Sequence, residues 1–242
     1  MVTLLDLAYA LLVAAAFPLL DHFVLLPGYR RRAAVAAERA KAWFWRVTLV
    51  ELWVITTIGG ALWIGHARAW SQLGFTIPSG WRLWSALSLC TLFVLQSSLT
   101  ARKVSRREKA RASVRKQFGS LGVAGTLMPS TNAALAWWVV ISLSAGGCEE
   151  FLFRAYLIWV LAPFVGWWGA AGVSVLLFAI AHGYQGGKGI LTAGIMGVVF
   201  TAMVVIFRSL LPAIVLHALI DLSSGFIAWL ALRKPPGESA AQ

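Results

Sequence analysis

The sequence predicts an all-α membrane protein, a bundle of about seven helical spans with a polar cavity in the last four. Hydrophobic residues make up 60% of the 242 residues and charged residues only 12%. A soluble globular domain is about 45–50% apolar. The apolar residues also occur in stretches close to the roughly 20 residues that cross a bilayer as a helix. The composition therefore argues against a soluble fold.

Seven apolar stretches are long enough to be membrane spans. They cover residues 3–26, 43–64, 83–99, 133–161, 167–181, 190–207 and 210–232. A break at Ala145-Gly146-Gly147, inside the fourth stretch, would give eight. The first stretch lacks a basic start and a small-residue cleavage site, so we interpret it as a retained helix rather than a signal peptide.

Basic residues are concentrated in alternate loops, which indicates the orientation of the chain. Residues 29–42 contain five Lys or Arg and residues 102–116 contain eight, whereas the loop between them has only Arg68 and Arg82. Positive residues mark cytoplasmic loops. We therefore expect an external N-terminus, a three-span region over 1–131 with basic cytoplasmic loops, a four-span core over 132–234 and a disordered tail over 235–242.

The net charge of +12 raises the question of nucleic-acid binding. The basic run 102–116 has no interleaved aromatic residues and lies between membrane spans. Contact with anionic lipid head groups explains it better, and we predict no nucleic-acid partner. Cys90 and Cys148 both lie in apolar stretches, so no disulfide framework is expected. The short chain suggests a bacterial cytoplasmic (inner) membrane protein.

The apolar stretches of the C-terminal half contain a concentrated set of ionisable side chains, and each costs roughly 2.5–3.5 kcal/mol to insert into a membrane. Two pairs have the i, i+4 spacing that places side chains on one helix face. Glu150 and Arg154 form one pair, which we interpret as a structural ion pair, and His217 and Asp221 form the other. Glu149 is left without a local partner, and His182 lies on the span between.

Three chemistries are compatible with Glu149, His182 and His217. A carboxylate and an imidazole can activate a water while the second histidine stabilises an oxyanion. The same groups can bind zinc, although no H-E-x-x-H pair is present. They can also relay protons in a transporter. Glu51 and Asp21-His22 add polar groups to the N-terminal spans, but nothing in the sequence connects them to this set.

Three motifs in order resemble the CPBP family of CAAX proteases and bacteriocin-processing enzymes. Residues 149–154 read E-E-x-x-x-R, residues 178–182 read F-x-x-x-H and residues 217–221 read H-x-x-x-D. The resemblance covers about residues 133–232. It implies a glutamate-dependent intramembrane endopeptidase that cleaves a membrane-associated protein or peptide.

The resemblance also implies roles for individual residues. Glu149 and His182 would activate the hydrolytic water, and the third motif would lie where an oxyanion forms. The prenyl-protein member of the family has Asn at the last position of that motif, where this chain has Asp221. An ionised Asp only accepts hydrogen bonds, so we expect Asp221 to orient His217 and keep it protonated, with His217 as the donor. The family favours a site without metal or cofactor, and zinc remains the alternative.

Overall fold

The computed structural model describes residues 1–233, except the side chains of residues 16 and 17. The predicted disordered tail, 235–242, lies outside the described residues. The described part is all-helical, as the sequence predicts. Its α-helices are α1 Leu4–Leu20, α2 Leu26–Ala33, α3 Ala37–Gly65, α4 Trp81–Arg106, α5 Glu108–Gly119, α6 Val123–Thr126, α7 Asn132–Glu149, α8 Ile158–Ala181, α9 Gly186–Phe207 and α10 Leu211–Leu232.

Four shorter helical turns connect or continue these helices. Wider π-helical turns span Asp21–Leu25, between α1 and α2, and Glu150–Leu157, between α7 and α8. Tighter 3-10 turns span Trp70–Leu73 and His182–Gln185. Both π-helical turns begin at an acidic residue, and turns of this kind are frequent at functional sites.

Five helical stretches are long and apolar enough to cross a membrane: Leu4–Ala33, Ala37–Gly65, Trp81–Arg106, Asn132–Phe207 and Leu211–Leu232. The fourth has 76 residues, and a straight helix of that length would extend about 114 Å. It is broken at Gly166, which has a φ of 70°, and again at the turn before Gly186. Helix α7 runs unbroken through 145–147, so the break that would give an eighth span is not present there.

Contacts between loops define two ends of the bundle. At one end Arg68 bonds to the Met1 carbonyl, and Thr76 donates to the carbonyl of Arg208. Trp167, next to the break in α8, lines a cleft with Arg208 and therefore lies at this end too. The chain thus runs between the ends seven times within residues 1–233. The number of membrane crossings itself stays a prediction.

The two basic loops lie at the opposite end. Tyr29 donates to the hydroxyl of Thr126, Lys41 bonds to the carbonyl of Met128, and Arg115 bonds to the carbonyl of Ala231 at the end of α10. The predicted asymmetry of charge therefore corresponds to one end of the folded bundle.

Helices α7 and α10 pack with their backbones close together. A Cβ at Gly146 would lie 2.9 Å from both the Cβ and the backbone nitrogen of Ala218. A Cβ at Gly225 would overlap the ring of Trp138, whose Nε1 donates to the carbonyl of Asp221 at 2.7 Å. Small residues allow such an approach between membrane helices. It brings the acidic C-terminal end of α7 beside His217.

A buried ion pair that the sequence does not indicate joins the first span to the rest. Asp6 is fully buried and accepts two hydrogen bonds from the Arg68 guanidinium, at 2.8 and 2.7 Å. Tyr156, in the π-helical turn Glu150–Leu157, donates to the same carboxylate at 2.6 Å. These bonds connect α1 and the loop after α3 to the segment that follows Glu150.

Replacing Asp6 with Ala is expected to destabilise the fold by about 3 kcal/mol, because it leaves the Arg68 guanidinium without its buried partner. Unfolding in detergent, followed by circular dichroism, measures the change. The matched control is Glu108→Ala, which removes the 66% exposed partner of Arg111 and is expected to change stability by less than about 1 kcal/mol. Equal effects of the two substitutions would contradict the prediction.

Candidate active site

The six polar residues of the three motifs lie together, although three separate segments supply them. Glu149 ends α7, and Glu150 and Arg154 lie in the π-helical turn that follows it. His182 begins the 3-10 turn after α8. His217 and Asp221 lie on α10, which packs against α7.

Two consecutive glutamates contact opposite nitrogens of one imidazole. The Nδ1 atom of His217 is hydrogen-bonded to Oε1 of Glu150 at 2.8 Å. Its Nε2 atom lies 3.9 Å from Oε2 of Glu149. Neighbouring side chains on a helix differ in direction by about 100°, so the two carboxylates approach the ring from different sides. Phe200 stacks on the face of the same ring, with centroids 4.7 Å apart.

The predicted pair of Glu150 and Arg154 is present, with a nitrogen–oxygen distance of 3.3 Å and both side chains fully buried. The Arg154 guanidinium also lies over the ring of Phe178, 3.9 Å from its centroid. Glu150 therefore serves two partners, Arg154 and His217. The sequence analysis identified only the first, since 67 positions separate Glu150 from His217.

Asp221 lies farther from His217 than a hydrogen bond allows. Its Oδ2 atom is 3.8 Å from Nε2, beyond the usual range of about 2.7–3.2 Å. The hydrogen bond that fixes the orientation of the ring comes from Glu150, whereas the sequence assigned that contact to Asp221.

His182 presents one nitrogen towards Glu149. Its Nδ1 atom is 2.8 Å from the carbonyl oxygen of Phe178, and a carbonyl only accepts, so we assign the hydrogen to Nδ1. The Nε2 atom lies 4.0 Å from Oε2 of Glu149. That oxygen is buried and has no hydrogen-bond partner among the described residues. One water oxygen about 2.8 Å from both atoms would fit between them.

These groups open into a cavity of about 330 Å³. Glu149, His182, His217 and Asp221 are at its polar side. The other walls include residues from the N-terminal half of the chain, namely Phe44, Trp45, Thr48, Leu52, Phe118, Leu121, Ala124, Leu127 and Met128. The C-terminal part of the chain therefore supplies the four motif residues, and α3, the end of α5 and the segment that follows it complete the enclosure.

Sequence analysis missed several polar residues of the cavity, and two of them also face a second chamber. Thr48 and Tyr184 line both the cavity and a smaller chamber beside it. Thr48 lies three positions before Glu51 on α3, and an i, i+3 polar pair in an apolar helix was the available signal. Asp21 and Glu51 line the smaller chamber, whereas His22 is exposed.

A zinc ion in a catalytic site needs about three protein ligands, which are usually His, Asp, Glu or Cys side chains. In the described part of the chain, no group of three or more His, Cys, Asp or Glu side chains is arranged to hold a metal ion. Both Nδ1 atoms of the histidines already have oxygen partners within the protein. These bonds leave Nε2 of each histidine facing Glu149, which is also how zinc-binding histidines are held, so chelation is the test of the zinc alternative.

The double contact of Glu150 predicts a non-additive effect on stability. Glu150→Ala leaves the Arg154 guanidinium buried and unpaired, and the expected loss is about 3–5 kcal/mol. Adding Arg154→Met removes that charge with little change of volume, so the double variant is expected to be more stable than Glu150→Ala alone. Unfolding measurements on both variants provide the test, and a strictly additive result would contradict it.

Comparison with known proteins agrees with the resemblance of the motifs. Residues 131–223 match the family described as type II CAAX prenyl endopeptidase Rce1-like. No curated protein and no solved structure matches the chain. The match includes all six motif residues. The chain is thus an integral, multi-pass membrane protein whose residues 131–223 are similar to the endopeptidase domain of the Rce1-like CAAX family.

Proposed function

We propose that this protein is a glutamate-dependent intramembrane endopeptidase in which Glu149 and His182 activate water and His217 stabilises the oxyanion. One observation carries the proposal. The Oε2 atom of Glu149 is buried without a hydrogen-bond partner in the described chain. It lies 4.0 Å from Nε2 of His182 and 3.9 Å from Nε2 of His217, at the wall of a cavity.

The reaction needs only groups that this chain supplies. A water between Glu149 and His182 donates one hydrogen bond to the carboxylate and the other to Nε2 of the imidazole. As its oxygen attacks the carbonyl carbon of the scissile peptide, the carboxylate takes the proton. When the carbon–nitrogen bond breaks, Glu149 returns that proton to the amine, so the products are a carboxylic acid and an amine.

His217 is suited to stabilise the charge that develops on the carbonyl oxygen. The bond from Nδ1 to Glu150 holds the ring, which directs Nε2 towards the cavity. In its protonated form the ring donates from Nε2 to the oxyanion. The Oδ2 atom of Asp221 lies 3.8 Å from the same nitrogen. Its negative charge, added to that of Glu150, favours the protonated form of His217. We assign Asp221 to the site in that positioning role.

The cavity suits a substrate that is delivered from the membrane. Its walls are mostly apolar and aromatic, and they include Phe44, Trp45 and Leu52 of the N-terminal half. The similarity to the Rce1-like family favours a membrane-associated protein or peptide as the substrate. Whether the substrate must carry a prenyl group is a separate question. Cleavage rates of two peptides that differ only in a farnesyl group answer it directly.

We expect Glu149→Gln to reduce cleavage by about 10²–10⁴-fold, because glutamine cannot accept the proton of the attacking water. His182→Ala is expected to reduce cleavage by a factor in the same range. A comparison of membrane proteomes from cells with the wild type and with Glu149→Gln measures the loss, since an uncut precursor accumulates only in the variant.

The matched control is Cys148→Ala, at the neighbouring position. Cys148 is buried in the hydrophobic core and lines a different cavity from that of Glu149. Its replacement is expected to leave cleavage within about twofold of the wild type, as for a small volume-reducing change away from the site. Full activity in Glu149→Gln would refute the proposal. Loss of activity in Cys148→Ala would favour a cysteine nucleophile instead.

Chelation distinguishes the proposed chemistry from the zinc alternative. We expect purified protein to keep its activity after dialysis against EDTA and 1,10-phenanthroline, because water activation here depends on side chains. Loss of activity that added zinc restores would support a metalloprotease that uses the same residues. No precursor and no cleaved product in any strain would favour a peptide-binding protein or a proton-coupled carrier.

We further propose that the basic end of the bundle faces anionic lipid in a bacterial cytoplasmic membrane. Helix α5 has no buried residue, and its Arg115 fixes it to the end of α10 through the carbonyl of Ala231. A basic helix held at the membrane surface suits anionic head groups. The basic run 102–116 has no interleaved aromatic residues, which is unlike a nucleic-acid-binding surface.

A further inference from the structure

A small polar chamber lies directly behind the proposed water site. Its volume is about 40 Å³, and Glu149 and His182 form part of its wall as well as part of the main cavity. The remaining polar wall residues are Asp21, Thr48, Glu51 and Tyr184. Glu51 comes from α3 and Asp21 from the π-helical turn after α1, so the first two spans supply these side chains.

Several polar atoms of this chamber have no partner in the protein. The Oγ1 atom of Thr48, Oε1 of Glu51 and Oε2 of Glu149 are buried without a hydrogen-bond partner in the described residues. Asp21 is only 8% exposed, and within residues 1–233 its carboxylate takes part in no hydrogen bond or ion pair. Buried polar groups without partners are rare because each forgoes a hydrogen bond, so this concentration indicates a ligand that bonds to all of them.

The size and chemistry of the chamber identify water as that ligand. A buried water needs about 10–15 Å³ of such space and two to four polar partners, so 40 Å³ accommodates roughly three waters. The wall offers carboxylate and imidazole acceptors together with the hydroxyl groups of Thr48 and Tyr184. In the described residues no group of three or more His, Cys, Asp or Glu side chains is arranged to hold a metal ion, and a chamber of about 40 Å³ is too small for an organic group.

We propose that Asp21, Thr48 and Glu51 hold a cluster of buried waters and that this cluster supplies and positions the hydrolytic water at Glu149 and His182. The second half of this inference rests on the proposed proteolysis, and the first half does not. The three residues are positioning residues, because they act through water and do not touch the substrate. The apolar cavity receives the peptide, and water reaches the scissile bond from the opposite side.

Radiolytic labelling tests the water cluster without any substrate. X-ray pulses convert bound water into hydroxyl radicals that oxidise adjacent side chains. Phe153 is 2% exposed and lines the chamber but not the main cavity. Phe207 is 6% exposed and lines neither. In lipid nanodiscs we expect Phe153 to be oxidised several times faster than Phe207, and Glu51→Leu to abolish the difference. Equal rates in the wild type would overturn the proposal.

Kinetics then test the positioning role, with a peptide that spans the cleaved site as the probe. Glu51→Gln keeps hydrogen-bonding atoms and is expected to stay within about threefold of the wild type. Glu51→Leu displaces water and is expected to lower kcat roughly tenfold or more with little change in KM, since a misplaced reactant costs rate rather than binding. Thr48→Val is expected to lower kcat in the same way, with a smaller effect.

The matched control is Thr56→Val, which removes the same hydroxyl from the same helix beside a separate cavity. It is expected to keep the wild-type kcat. Equal losses in Glu51→Gln and Glu51→Leu would show that the charge matters rather than the water, and would overturn the inference. Unchanged kcat in Glu51→Leu would do the same. Failure of the proposed proteolysis is distinguishable, because then the wild type cleaves nothing while Phe153 is still labelled.

Discussion

The site depends on mutual neutralisation of charges that are buried where α7 meets α10. Arg154 and Glu150 are fully buried, and His217 bonds to the same carboxylate. In a low-dielectric interior each of these charges, if unpaired, would destabilise the fold through its lost hydration. Together the charges compensate one another. The arrangement exists because Gly146 lets the two helices approach closely enough for His217 to reach Glu150. The buried charges of the site can therefore pair only if the two helices pack this closely.

Adjacent glutamates acquire different tasks from their directions on the helix. Glu150 points towards Arg154 and Nδ1 of His217, where both partners engage it. Glu149, one position earlier, points towards the cavity with one oxygen unbonded. A structural carboxylate and the proposed general base can thus be consecutive in the sequence without competing for the same partners. Glu150 holds the imidazole of His217, and the opposite nitrogen of that ring faces Glu149.

The N-terminal spans do more than anchor the protein in the membrane. Through Asp6 they hold Tyr156, which lies in the same π-helical turn as Glu150 and Arg154. That turn is consequently fixed from α1 at one side and from α10 at the other. Helix α3 adds walls to the cavity and Glu51 to the chamber. A four-span core alone would leave the site open on this side.

The sequence by itself determined the class of protein, the basic end of the bundle and the pair of Glu150 and Arg154. The class of protein and the basic end follow from composition and from the distribution of charge. The pair follows from the i, i+4 spacing, which places two side chains on one face of any α-helix. It also placed three polar motifs on separate spans. Only the tertiary structure decided that His217 bonds to Glu150 rather than to Asp221, and that Asp6 pairs with Arg68, 62 positions away. Such contacts depend on how helices rotate and how closely they approach, which periodicity along one helix does not specify.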